Sequence, residues 1–260
     1  MRITSTYPLA LLVASGSMFI ASTSLRASET DDRIESSASK SYVFKTYLKD
    51  DSIKTESKNG VVTLTGTVTQ ESDRRLAQDT VESLPGVKSV DNQLTVTGAI
   101  PPEHSDAWIG WKVKSALLFH RNVSATGTTV YVKDGIVTLQ GEASSMAEKE
   151  LTTEYAKDVD NVKGVKNEMT IAKTPAVPSE TMGAKIDDAS ITAQVKSSLL
   201  THRSTSALDT KVETTDGVVT VSGIAKNDAE KSLVTKLVTD INGVTSVINN
   251  MTIAVPVIKG

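Results

Sequence analysis

Three times along the chain the same hydrophobic pattern recurs. At its centre apolar residues alternate with polar ones. Val62 and Leu64, Val137 and Leu139, and Val219 and Val221 each share one face of a strand, since side chains in a strand point to opposite sides at every second residue. Further on the period lengthens to that of a helix. Leu76, Thr80, Val81 and Leu84 form an apolar stripe, matched by Leu151, Tyr155, Ala156 and Val159 and then by Leu233, Leu237, Val238 and Ile241. Alternation returns in a last strand, Val90 to Val96, Val165 to Ile171 and Val247 to Ile253, with Asn92, Asn167 and Asn249 at one fixed place. A first helix precedes each block. It carries Ile191, Val195, Leu199 and Leu200 after Asp187-Asp188 in the third copy, and Ile109, Val113, Leu117 and Leu118 after Asp106 in the second. In the first copy the pattern is fainter. Val43, Tyr47 and Leu48 fit it with Ser39 at the place of the Ile, which makes the connection to the next strand five residues shorter.

The turns are written as clearly as the elements. A short strand (Thr55 and Ser57; Val130 and Val132; Val212 and Thr214) runs into Asn59-Gly60, Asp134-Gly135 or Asp216-Gly217, the dipeptides that best suit a two-residue hairpin with positive φ angles. A second glycine, Gly66, Gly141 or Gly223, follows six residues after the first and marks the end of the long strand. Twenty residues later come Gly86, Asn161 and Gly243, just past the second helical stripe. Glycine there supplies a left-handed helix terminus, and Asn is the residue that most readily substitutes for it. Leu84-Pro85-Gly86 supports the same reading, because proline ends a helix.

Each unit therefore reads α-β-β-α-β. The fold class is α+β: three tandem small units, each a three-stranded mixed sheet with two helices on one face. The expected boundaries are an N-terminal segment at 28–38, units at 39–97, 106–172 and 187–254, linkers at 98–105 and 173–186 and a tail at 255–260. Four of the seven prolines fall in those linkers, at Pro101, Pro102, Pro175 and Pro178.

Composition sharpens this picture at the N-terminus. Arg2 precedes an apolar stretch from Leu9 to Ala21, too short to cross a bilayer and of the length of a secretory signal core. Small residues follow, and residues 1–27 read as a signal peptide cut after Ala27. The mature chain would then carry 26 basic against 31 acidic groups and belong to the periplasm. There is no cysteine among the 260 residues, which removes disulfides, thiol chemistry and a lipid-anchor site, and no transmembrane segment is expected in the mature chain. Each copy is close to electrically neutral, which argues against nucleic acid and against attraction to anionic lipid through a general positive field.

The order of elements, with Asp-Gly-x-Val-x-Leu-x-Gly before a helix and Gly-Val-x-x-Val-x-Asn after it, resembles the BON domain. The third copy matches best, through Asp187-Asp188-Ala189-Ser190-Ile191 and Lys211-Val212-Glu213-Thr214-Thr215-Asp216-Gly217-Val218-Val219. The resemblance implies an exported, stress-associated protein that binds phospholipid or supports the cell envelope under osmotic stress. An alternative is a periplasmic chaperone or interaction module for envelope proteins. Relatives carry one or two copies, and three is a departure.

Candidate chemistry is sparse. His120-Arg121 and His202-Arg203 occupy equivalent places at the end of the first helix, where Asp50-Asp51 stands in copy one. They suit either the negative end of the helix or a lipid head group. Trp108 and Trp111, the only tryptophans, lie three apart on one helix and mark a candidate lipid or partner contact, or else pack against a neighbouring copy. Two histidines on separate units do not form a metal site. Acidic runs such as Glu148, Glu150 and Glu154 read as solvated faces, and no constellation for acid–base or nucleophilic catalysis occurs. No cofactor, no metal and no enzymatic activity are expected; the expected partner is phospholipid or an envelope protein.

Overall fold

The computed structural model describes residues 21–99, 101–172, 186–205 and 210–254, with the backbone alone for residues 21–28. The first unit comprises α1 (Ala21–Lys40), α2 (Tyr42–Thr46), β1 (Ser52–Lys58), β2 (Val61–Val68), α3 (Glu71–Glu82), β3 (Ser89–Asn92) and β4 (Thr95–Val96). The second has α4 (Asp106–Leu118), β5 (Thr128–Lys133), β6 (Ile136–Ala143), α5 (Met146–Lys157), β7 (Gly164–Asn167) and β8 (Thr170–Ile171). The third has α6 (Asp188–Thr201), β9 (Thr210–Thr215), β10 (Val218–Ala225), α7 (Asp228–Thr239), β11 (Ser246–Asn249) and β12 (Thr252–Ile253). The expected signal segment lies outside the described residues as far as residue 20, and the expected tail beyond residue 254 lies outside them too.

In every unit the long strand is central. β2 pairs antiparallel with β1 and parallel with β3 and β4; β6 and β10 repeat the arrangement. The inward residues anticipated from alternation, Val62, Leu64, Val137, Leu139, Val219 and Val221, are all fully buried under the helices. The hairpin dipeptides take positive φ throughout, 55° and 80° at Asn59-Gly60 and 50° and 76° at Asp216-Gly217. Asn161 has φ 67°, beside 93° at Gly86 and 88° at Gly243, so Asn does stand in for glycine at that turn. The second glycine permits close backbone approach: a Cβ on Gly66 would fall 1.9 Å from the Ser52 carbonyl oxygen.

The last strand is not continuous. It breaks after the repeated Asn, whose side chain turns inward. Asn167 Nδ2 donates to the Lys149 carbonyl and to Thr153 Oγ1, each at 2.7 Å, while its Oδ1 accepts from Met169 N at 3.0 Å. Asn92 and Asn249 make the corresponding bonds. The Asn thus pins the strand to the second helix, and the residue past the break (Leu94, Met169 or Met251) drops into the core.

The first helix of copy one lies five residues upstream of its expected place. A repeated aspartate settles the register. Asp106 accepts from Asp134 N and Gly135 N at 2.7 and 2.8 Å, and Asp188 accepts from Asp216 N and Gly217 N, both at 2.8 Å. Asp31 does the same for Asn59 N and Gly60 N, at the same separations of 28 and 29 residues. Ile34 is therefore the counterpart of Ile109 and Ile191, not Ser39, and the connection is not shortened. Ile34 and Ala38 are buried on the sheet. The counterpart of the His-Arg pair is accordingly Lys45-Thr46, not Asp50-Asp51. The shift arose because the helix breaks at Ser41, whose side chain caps α2, so two short apolar stretches do not share one period.

Candidate functional site

The three units pack on one another, with α6 at the centre. Nine of its 14 residues are buried, among them the polar Ser190, Thr192, Gln194 and Ser198. On one side it meets unit one. Tyr42 N donates to Asp187 Oδ2 at 2.7 Å, Val43 N donates to Ser190 Oγ at 3.0 Å, and Lys196 pairs with Asp79 of α3 at 3.3 Å. On the other side it meets unit two along a seam with approximate twofold symmetry.

That seam absorbs the His-Arg pairs. His120 and His202 are each 2 % exposed, which corrects the expectation of a surface contact. His120 bridges across to Ile241, and His202 to Val159. His120 Nδ1 lies 3.1 Å from Asp240 Oδ2 of unit three; His202 Nδ1 lies 2.9 Å from Asp158 Oδ2 of unit two. Since a carboxylate only accepts, each Nδ1 carries the proton. Arg121 N donates to the Asp240 carbonyl and Arg203 N to the Asp158 carbonyl, both at 2.9 Å. The Arg121 guanidinium donates to the carbonyls of Ile241 and Val244 at 2.6 and 2.8 Å. That of Arg203 is 3.7 Å from Asp158. Asn122 and Ser204, again equivalent, donate to Asp240 and Asp158.

The symmetry fails at two points. Tyr155 donates its hydroxyl to Asp240 at 2.5 Å and stacks on His120 with ring centroids 4.1 Å apart, whereas its counterpart is Leu237. Ser198 Oγ meets His120 Nε2 at 3.2 Å, whereas its counterpart is Ala116, and His202 Nε2 is buried without a hydrogen-bond partner. The two imidazoles are 5.7 Å apart between centroids, so histidines expected on separate units share one cluster. Burial is the largest influence on His120 and holds its pKa below the ordinary value, opposed by the hydrogen bond to Asp240 and assisted by His202. Burial, then Asp240, raises the Tyr155 phenol. At Asp158 burial acts upward, but hydrogen bonds from His202 and Ser204 outweigh it and leave the carboxylate below its usual range.

Ser198, His120 and Asp240 stand in the order of a nucleophile, base and orienting acid. Ser198 is 1 % exposed and His120 2 %, so the packed seam has no room for a substrate carbonyl beside the hydroxyl. The arrangement holds two units together. Sequence reasoning missed Tyr155, Asp158, Asp240 and Ser198 as partners. A signal was present: Asp158 and Asp240 sit three residues before Asn161 and Gly243, copy one has Ser83 there, and copy one also lacks the His-Arg pair.

The tryptophans do not form a free aromatic face. Trp111 is half-buried and its indole N–H donates to Gln70 at the start of α3 in unit one. Trp108 packs on the core and carries Lys112 over its ring at 4.3 Å. Tyr47 of unit one stacks edge-on against Phe119 of unit two at 5.2 Å, closing the junction. Glu148, expected to be solvated, accepts from Ser124 N at 2.9 Å and Ser144 N at 2.8 Å and ties a loop to α5.

What stays outside is the sheet face opposite the helices. On unit two it presents Tyr131, 58 % exposed, in one cross-strand row with Thr138 and Lys166, beside Lys133. Val61 on unit one and Ile224 and Ile248 on unit three are exposed on the corresponding faces. Among the described residues no helix is long and apolar enough to cross a membrane.

Comparison with protein families matches the BON domain to residues 30–98, 105–173 and 187–255. Osmotically-inducible protein Y of Escherichia coli (strain K12) is 32% identical over 177 residues, spanning 67% of this chain and 83% of that protein. An uncharacterized protein of Anaplasma centrale is 31% identical over 144 residues, 55% of this chain and 91% of that one. Among solved structures, CdsD, a structural protein of the type III secretion system of Chlamydia trachomatis, aligns over 87% of this chain and 92% of its own with 15% identity. Its TM-score of 0.23 is too low to inform the fold.

Proposed function

This chain belongs to the BON domain family, and we propose that it is an exported, non-enzymatic periplasmic protein. In this reading it binds phospholipid of the cell envelope and supports the envelope under osmotic stress. The similarity to an osmotically inducible protein supports the stress setting. The observation that carries the binding reading is the outer sheet face of unit two. There an exposed phenol, Tyr131, stands two residues from Lys133 on β5 and shares a cross-strand row with Lys166, on the far side of Thr138. A tyrosine suits the membrane–water boundary, apolar in its ring and polar at its tip. Two lysines supply on the order of 1 kcal/mol each towards an anionic surface, which makes the contact weak and sensitive to salt. The His-Arg pairs, once candidates for the same task, are consumed by the seam.

Vesicle co-sedimentation tests this. Wild-type protein is expected to sediment with vesicles containing anionic phospholipid at low salt and to be released as salt rises, with Y131S/K166E binding severalfold more weakly. Absence of sedimentation with both zwitterionic and anionic vesicles would exclude phospholipid. The exposed Ile224 and Ile248 of unit three favour a second reading, a chaperone or interaction surface for envelope proteins. Suppression of aggregation of an unfolded outer-membrane protein, lost on replacing both by Thr, is its signature.

A further inference from the structure

The seam between units two and three buries two imidazoles close together. Asp158 and Asp240 face them as carboxylates from the ends of α5 and α7. Arg121 and Arg203, the residues after each histidine, add cations to the same seam, and Tyr155 contributes an un-ionised phenol from α5. Asp158 is met by the half-exposed Arg203, whereas the Arg121 cation is spent on the carbonyls of Ile241 and Val244. Protonating both histidines adds two positive charges whose rings are 5.7 Å apart and whose side chains are wholly shielded from water. The two new N–H groups also differ. That of His120 finds Ser198 Oγ as an acceptor. That of His202 finds none, and the residue equivalent to Ser198 in unit two is Ala116, which has no hydroxyl to offer. A buried N–H⁺ without an acceptor carries a full desolvation cost.

We propose that this seam is an acid-opened joint, in which protonation of His120 and His202 separates unit two from unit three while each unit keeps its own fold. Unit one lacks both halves of the contact, having Lys45-Thr46 and Ser83 in their places. The direction follows from linkage. His120, held below its ordinary value in the closed state, contributes stability that is complete above about pH 6.5 and declines as pH falls towards the folded value.

Because the chain has no cysteine, Glu154→Cys and Lys236→Cys place two spin labels at equivalent exposed sites on the two units. The expected result is one narrow distance distribution at about pH 7.5, with a longer second population growing below about pH 6.5, while far-ultraviolet circular dichroism stays unchanged. Ala116→Ser gives His202 an acceptor and is expected to move the midpoint down by about half a pH unit; Ser198→Ala removes one from His120 and moves it up by a similar amount. H120N/H202N, which keeps a donor towards each aspartate, holds the joint closed. A distribution unchanged down to about pH 5, or an opening that persists in H120N/H202N, overturns the proposal. Should that double variant not fold, the opposed shifts of the other two decide: shifts in the same direction, or none, overturn it.

Discussion

At the scale of single residues, most of what recurs in the sequence is backbone geometry. Gly217 holds φ 76°, and a Cβ there would lie 3.0 Å from Thr245 Cγ2 and 3.2 Å from the Gly243 carbonyl oxygen. Asn161 already occupies the left-handed region that glycine prefers. Gly217→Val is therefore expected to cost about 2 kcal/mol and lower the melting temperature by several degrees, while Asn161→Gly stays within about 0.5 kcal/mol of wild type. Equal melting temperatures for the two would contradict the turn assignment. These residues were readable without a structure because a positive φ is a local demand that few side chains meet. The inward aspartates Asp31, Asp106 and Asp188 were not. A carboxylate at the start of a helix reads as an ordinary cap, and nothing local shows that it reaches a hairpin 28 residues away.

At the scale of elements, periodicity placed the helices and strands of copies two and three and misplaced the first helix of copy one. Its break at Ser41 splits the apolar stripe, and periodicity measures only unbroken helices. The repeated Asn is the other element-scale lesson. It looked like a strand residue and proved to be the pin that interrupts the strand. Asn167→Ala removes three hydrogen bonds from a half-buried site and lets the strand and α5 lose their fixed distance. The expected loss is about 2–3 kcal/mol, seen as an earlier midpoint in urea with little change in slope. A variant as stable as wild type would mean that the core contact of Met169 alone holds the strand.

At the scale of the whole molecule, α6 shows what decides the assembly. Ile191, Val195 and Leu199 announce one buried face, and the polar residues between them look solvated. In the structure Ser190, Gln194 and Ser198 are as buried as the aliphatics, because units one and two cover the helix from either side. Ser190→Ala leaves the buried Val43 amide without its acceptor and is expected to destabilise the docking of unit one by about 1–3 kcal/mol. Hydrogen exchange checks it: the Val43 amide is expected to exchange faster while the Val219 amide, inside the sheet of unit three, keeps its wild-type rate. Equal acceleration at both would show that the variant damages unit three itself rather than the docking.

What this sequence determines alone is the unit and its number: strands, helices and turns answer to periods of two and 3.6 and to a few φ angles, all expressed within some sixty residues. The tertiary structure alone decided how the units meet and so what the His-Arg pairs do. A hydrogen bond between His120 and Asp240 joins residues 120 apart, and a polar side chain destined for another unit has the same local pattern as one destined for water.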